Sequence, residues 1–173
     1  MRNQKGMTLL ELVIVLAVAL VAVAITAALS GPWIARESMR GAVGNVNSYF
    51  QLAKIESVSR NHPCRFVIDT SARTVEVWDT MGTGPLSDDT NLYMATLPST
   101  VAFERPTAGP AVTLFQLGGS SRYHTVFTSD GIAAVGTGQV FLHGGDGYGA
   151  VRVHAAGGVD VAYWNGTEWR MGY

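Results

Sequence analysis

One carboxylate near the start of the chain stands where water would be absent. Glu11 lies four residues inside an apolar segment that begins at Met7. A lone charge in such a segment costs a few kcal/mol in a membrane and normally has a partner. The other residue types able to do chemistry are scattered. His62, His124, His143 and His154 form no His-x-x-x-His spacing, and no Cys-x-x-Cys accompanies them, so no zinc-type ligand set is expected. Cys64 is the single cysteine. It makes no intramolecular disulfide, and a lone cysteine in a strand reads as inert rather than nucleophilic. His143–Gly149 is rich in glycine but lacks the lysine and the following helix of a phosphate loop, and so reads as a hairpin turn. Asp88-Asp89 offers two adjacent acids, too few spaced ligands for Ca²⁺, and a solvated turn is the better reading. Asn165-Gly166-Thr167 matches a glycosylation sequon, but a two-residue hairpin turn explains it better. The expectation is a protein without catalytic residues, cofactor or metal: not an enzyme.

The elements around these residues are uneven in composition. The chain has 173 residues, 47% of them apolar and only 14% charged, which excludes a disordered, highly charged chain. Its 12 Lys+Arg against 13 Asp+Glu give no global basic field for nucleic acid. From Leu12 to Leu29 no residue is charged and only Thr26 is polar. As a helix this stretch is about 27 Å long, close to the hydrocarbon thickness of a bilayer. Arg2 and Lys5 precede it and favour a cytoplasmic N-terminus. Ala27-Ala28-Leu29-Ser30 loosely fits a signal cleavage site, so composition alone leaves signal peptide and anchor level. Glu11 and the continuation of the helix separate the two. After Gly31-Pro32, Met39, Val43, Val46, Phe50 and Ala53 recur at helical spacing as one apolar stripe, and Asn61-His62-Pro63 supplies a stop.

From Cys64 onward the pattern alternates as β structure. Cys64–Asp69 and Thr74–Asp79 form a hairpin around Thr70–Arg73. Further strands are expected at Leu92–Leu97, Val101–Glu104, Val112–Leu117, Thr125–Thr128, Gln139–His143, Val151–His154 and Val159–Tyr163. Asn165-Gly166 closes a terminal hairpin between Trp164 and Trp169. The expected fold is α+β: a long N-terminal helix, its first half transmembrane, packed on antiparallel sheets.

The stretch Lys5-Gly6-Met7-Thr8-Leu9-Leu10-Glu11-Leu12-Val13 resembles the class III signal of type IV pilins and pseudopilins. There a short basic leader ends in Gly, followed by a hydrophobic residue, Thr-Leu, an apolar residue and Glu; Met7 departs mildly from the usual Phe. The resemblance implies that a prepilin peptidase cuts between Gly6 and Met7 and methylates the amine of Met7. Glu11 then becomes the fifth residue of a mature chain and, as the family implies, neutralises the terminal amine of a neighbouring subunit. Leu52–Asn61 is similar to the helix-end pattern of GspH/FimT-type minor pseudopilins. Phe127-Thr128-Ser129-Asp130-Gly131 resembles their Phe-x-x-x-Gly turn, and Val151–Gly157 the strand before their final turn. Where that family often carries Gly-Arg-Val-Arg, this chain reads Gly157-Gly158-Val159-Asp160, without either arginine.

The expected organisation is therefore a leader at 1–6, a membrane or filament-core half-helix at 7–31, an amphipathic half-helix at 32–62 and a β-rich periplasmic domain at 63–173. The resemblance implies a minor pilin or pseudopilin of a type II secretion pseudopilus or type IV pilus. Its implied partners are prepilin peptidase, other minor and major pilins, an inner-membrane assembly platform, and membrane lipid before assembly. Some FimT-like minor pilins bind DNA for uptake, which that family ascribes partly to those two arginines, and the resemblance therefore also implies an alternative, a DNA-binding minor pilin acting as the DNA receptor of a competence pilus. Residues 33–173 carry 10 Lys+Arg and 12 Asp+Glu, and phosphate contacts supply most non-specific affinity, so nucleic acid is not an expected partner. Trp164, Trp169 and Tyr173 offer stacking surfaces in principle, but cross-strand pairing explains them better. Arg122, Arg152 and Arg170 are the cations whose clustering would revive the DNA-receptor reading. A membrane-anchored periplasmic binding domain that never polymerises is the reading from a different class.

Overall fold

The computed structural model describes residues 9–80 and 89–172. A single helix, α1 (Leu9–Arg60), runs for 52 residues through Gly31 and Pro32 without a break. Proline withdraws one donor from the helical ladder, yet its fixed φ fits helical geometry, and the helix continues past Gly31-Pro32 as the sequence pattern suggests. The helix stops where the sequence says it should. Asn61 turns left-handed at φ 56° and donates its N–H to the Val58 carbonyl at 3.3 Å, and Pro63 prevents continuation.

Met39, Val43, Val46, Phe50 and Ala53 are all buried, and Ala42 joins them. This stripe packs against two antiparallel sheets. Ten strands follow in the described residues: β1 (Cys64–Asp69), β2 (Thr74–Asp79), β3 (Thr90–Thr96), β4 (Phe115–Gln116), β5 (Arg122–Phe127), β6 (Ala133–Val135), β7 (Gly138–Gly144), β8 (Gly147–Val153), β9 (Val159–Trp164) and β10 (Trp169–Met171). One sheet has the order β3-β2-β1-β5-β4, with β6 also beside β5; the other has the order β10-β9-β8-β7. The helix touches β1, β2 and β5 of the first sheet and β7, β8 and β9 of the second. Phe50 stacks on Phe66 of β1 with ring centroids 3.7 Å apart, joining helix and first sheet in one core with Val140, Leu142 and Val151 of the second.

Two expected strands are corrected. Val101–Glu104 is reduced to a single bridge, Ala102 to His143, and Val112–Leu117 to a bridge from Val112 to Val140 plus the two-residue β4. Pro106 and Pro110 lie between these segments, and a proline has no N–H to give a ladder. What remains covers the outer edge of β7: Ala102 N–H donates to the His143 carbonyl at 2.9 Å and Phe141 N–H to the Ala111 carbonyl at 2.8 Å. The strand β6 has no counterpart in the sequence pattern, because three residues are too few for alternation to show.

Candidate functional site

The most unusual surface of the molecule is the first half of α1. From Leu9 to Ile25 every large apolar side chain is at least half exposed. No sheet covers them, and the helix is long and apolar enough there to cross a membrane. A helix that is apolar all round belongs in a core or in lipid, and this half packs into no core of its own chain. Glu11 sits on it, within its first turn. Thr26, its other polar residue, turns its hydroxyl back to the Ala22 carbonyl at 2.8 Å, which removes a donor from an apolar setting. Gly6 and Met7, the expected cleavage junction, lie outside the described residues.

The inner motif segments, far apart in sequence, converge at one seam. Lys54 of α1 donates its Nζ to the Gly157 carbonyl at 2.9 Å. Gly157, in the β8–β9 turn, has φ +76°, and a methyl group there would lie 1.8 Å from the Gly131 carbonyl oxygen. Gly131 ends the Phe127–Gly131 turn and lies against Lys54 and Val58. These segments therefore tie the end of the helix to both sheets, a structural role rather than a ligand site.

The remaining candidates do not assemble into chemistry. Cys64 is buried, and burial, with the Asp79 charge beside it, pushes its thiol up to about 11, so it is protonated and inert. His62 meets Asp79 at 3.1 Å, His143 meets Glu104 at 3.1 Å and His154 meets Asp160 at 2.7 Å. His124 is buried against Phe115. Among the described residues no three His, Cys, Asp or Glu side chains gather as a metal site. Asp89 corrects one expectation: it is not a solvated acid but a buried one, ion-paired with Arg65. Asp88 and Tyr173 lie outside the described residues.

The terminal hairpin is as expected, with Trp164 opposite Trp169 and their rings 5.5 Å apart. The Asn165 side-chain oxygen accepts from the Thr167 and Glu168 amides at 2.9 and 2.8 Å, a turn-forming use of asparagine. The three arginines do not form one patch. Arg122 donates to Glu76 at 2.9 Å on the first sheet. On the second, Arg152 stands across the ladder from Asp160, and Arg170 lies 3.5 Å from Glu168.

Residues 1–27 match a family described as the prokaryotic N-terminal methylation motif. The fold is similar to crystal structures of the type IV minor pilin FimU from Pseudomonas aeruginosa strain PAO1. One, in space group P21, aligns with a TM-score of 0.55 at 14% identity, covering 78% of this chain and 94% of FimU. Another, in space group P65, gives 0.52 at 14% identity over 76% of this chain and 96% of FimU. No curated protein matches the sequence. The chain is type IV pilin-like: it carries the N-terminal methylation motif and has the pilin fold.

Proposed function

We propose that the chain is a minor pilin or pseudopilin of the GspH/FimT type, a structural subunit of a type IV pilus-like filament. It enters the inner membrane as a single-pass precursor with the β-rich domain in the periplasm. Prepilin peptidase cuts after Gly6 and methylates Met7, and an assembly platform then moves the subunit into the filament among major and other minor pilins. The observation that supports this most is the continuity of α1: an apolar half without a core of its own runs unbroken into a half buried beneath two sheets. In lipid the first half is satisfied by acyl chains, and in a filament by the same halves of its neighbours. The likeness to FimU favours a type IV pilus over a type II secretion pseudopilus as the host filament.

Glu11 is the residue on which assembly turns in this reading. Its carboxylate sits in a low-dielectric setting, where a charge pair with a neighbour's terminal amine counts most. Glu11→Ala makes the helix more apolar, so the chain remains in the membrane, but recovery with its minor-pilin partners in pull-down falls sharply. Wild-type recovery of Glu11→Ala would contradict the role. The reading assigns no nucleic-acid partner: the described arginines of both sheets face acids, and the missing Gly-Arg-Val-Arg pattern leaves Asp160 paired with His154 instead.

A further inference from the structure

The second sheet has a face turned away from α1, and that face carries a hollow. Val140, Leu142 and Val151 point into the core, so by strand alternation Gln139, Phe141, Ala150 and Arg152 stand on the opposite face. The ladder sets them in rows. Gln139 is opposite Arg152 and Arg152 opposite Asp160, while Phe141 is opposite Ala150 and Ala150 opposite Ala162. In the next row Trp164 is opposite Trp169. Two alanines thus form a low floor between a polar row and an aromatic one. Trp169 adds a wall. Its strand lies three strands from that of Phe141, about 14 Å away, yet the two rings are 5.5 Å apart, so the indole leans back over the sheet. The hollow measures about 190 Å³. That is smaller than the ~300–1,000 Å³ of sites for drug-sized ligands and suits one substituted six-membered ring.

The polar row is ordered before any ligand arrives. Gln139 turns its amide oxygen to Arg152 and accepts from Nε and Nη2 at 3.0 and 3.1 Å. Oδ2 of Asp160 meets His154 Nε2 at 2.7 Å. A guanidinium has five N–H donors and a carboxylate two acceptor oxygens, so Arg152 keeps donors at Nη1 and Asp160 keeps its second oxygen. The two residues are direct cross-strand neighbours and present one donor beside one acceptor. One guanidinium against one carboxylate leaves the lining without net charge, which favours neither an anion nor a cation. A neutral vicinal diol matches it, because a hydroxyl both donates and accepts: one hydroxyl donates to Asp160 and the next accepts from Arg152. In a pyranose such a diol lies on the rim of a ring whose C–H face is apolar, and the negative face of an indole suits that C–H face.

We propose that this hollow binds a pyranose ring, stacked on Trp169 over Ala150 and Ala162, with its vicinal diol shared between Asp160 and Arg152. The inference is independent of the filament reading. Because α1 lies against the other face of the sheet, packing of α1 in lipid or in a filament does not itself cover the hollow.

The test uses the full chain in phospholipid nanodiscs, with methyl β-D-glucopyranoside as the probe and saturation transfer from aromatic protons to the sugar as the readout. Wild type binds the glucoside in about the millimolar range, the affinity within reach of one small ring. Asp160→Asn keeps the shape and weakens binding about tenfold, as a charge-assisted hydrogen bond becomes a neutral one. Ala162→Leu fills the hollow and abolishes transfer, with an unchanged unfolding temperature to show that the domain is intact. Cellopentaose tells the two sources of the ring apart: tighter binding than the glucoside marks a glycan chain, equal binding a free sugar, and either supports the proposal. Absence of transfer to wild type overturns it, as does equal affinity of wild type and Asp160→Asn. Tetrahydropyran, a ring without hydroxyls, receives no transfer; transfer equal to that of the glucoside marks a merely apolar pocket and overturns the diol assignment. Displacement of the sugar by hexathymidylate overturns it too, since the hollow is then a base-stacking site.

Discussion

The two halves of α1 share one backbone and use it in opposite ways. Between Leu9 and Ile25 the large side chains are apolar in every direction and exposed in every direction. Between Met39 and Ala53 the apolar residues occupy one stripe, and that stripe is buried. A helix with a single apolar stripe is matched to one covering surface, here two sheets. A helix apolar all round is matched to a solvent that surrounds it. The first half thus depends on something outside the chain and the second on the chain's own strands, so each half should be breakable without harming the other.

The largest effect is expected in the buried half. Phe50 is fully buried and stacked on Phe66, and truncating a core phenylalanine costs about 3–5 kcal/mol. Phe50→Ala should abolish or sharply lower the thermal unfolding transition of the domain while leaving membrane recovery unchanged. The exposed half responds in the reverse sense. Leu20→Arg places a charge near the middle of the apolar run, about 3 kcal/mol unfavourable for insertion. It should reduce the membrane-inserted fraction and leave the unfolding temperature of the domain alone. If either substitution moved both readouts equally, the division of the helix would be wrong.

A smaller effect distinguishes the halves by pH. His124 is buried with its Nδ1 unpartnered among the described residues. Burial, with the Arg65 charge nearby, lowers its pKa below the ordinary 6.5. The folded domain therefore binds this proton less readily than the unfolded chain, and stability is lost as pH falls below 6.5 toward the folded value. Denaturant unfolding between pH 7 and 5 should show that decline, and His124→Gln should flatten it. Membrane insertion of the apolar half should not change over the same range.

How much of this the sequence disclosed follows from the range of the signals involved. The apolar run, its stripe-like continuation and the Asn61–Pro63 stop are local patterns, and α1 agrees with them almost to the residue. The hairpins at Thr70–Arg73 and Asn165-Gly166 rest on turn chemistry and also stand. Val101–Glu104 and Val112–Leu117 alternate like strands, but their ladders are limited by neighbouring prolines and by what the edge of β7 offers, which no local pattern records. Asp89 looked solvated because its partner, Arg65, is distant in sequence. Lys54, Gly131 and Gly157 each lie in a weak motif, and only the fold shows them meeting at one seam.

In the proposed function the junction before the apolar half is a processing site, and intact-mass analysis after co-expression with a prepilin peptidase reads it out. The predicted result is loss of residues 1–6 and gain of one methyl group on Met7, with Gly6→Ala cleaved poorly. Persistence of the uncut chain beside an active peptidase, or cleavage near Ala28 instead, would contradict it.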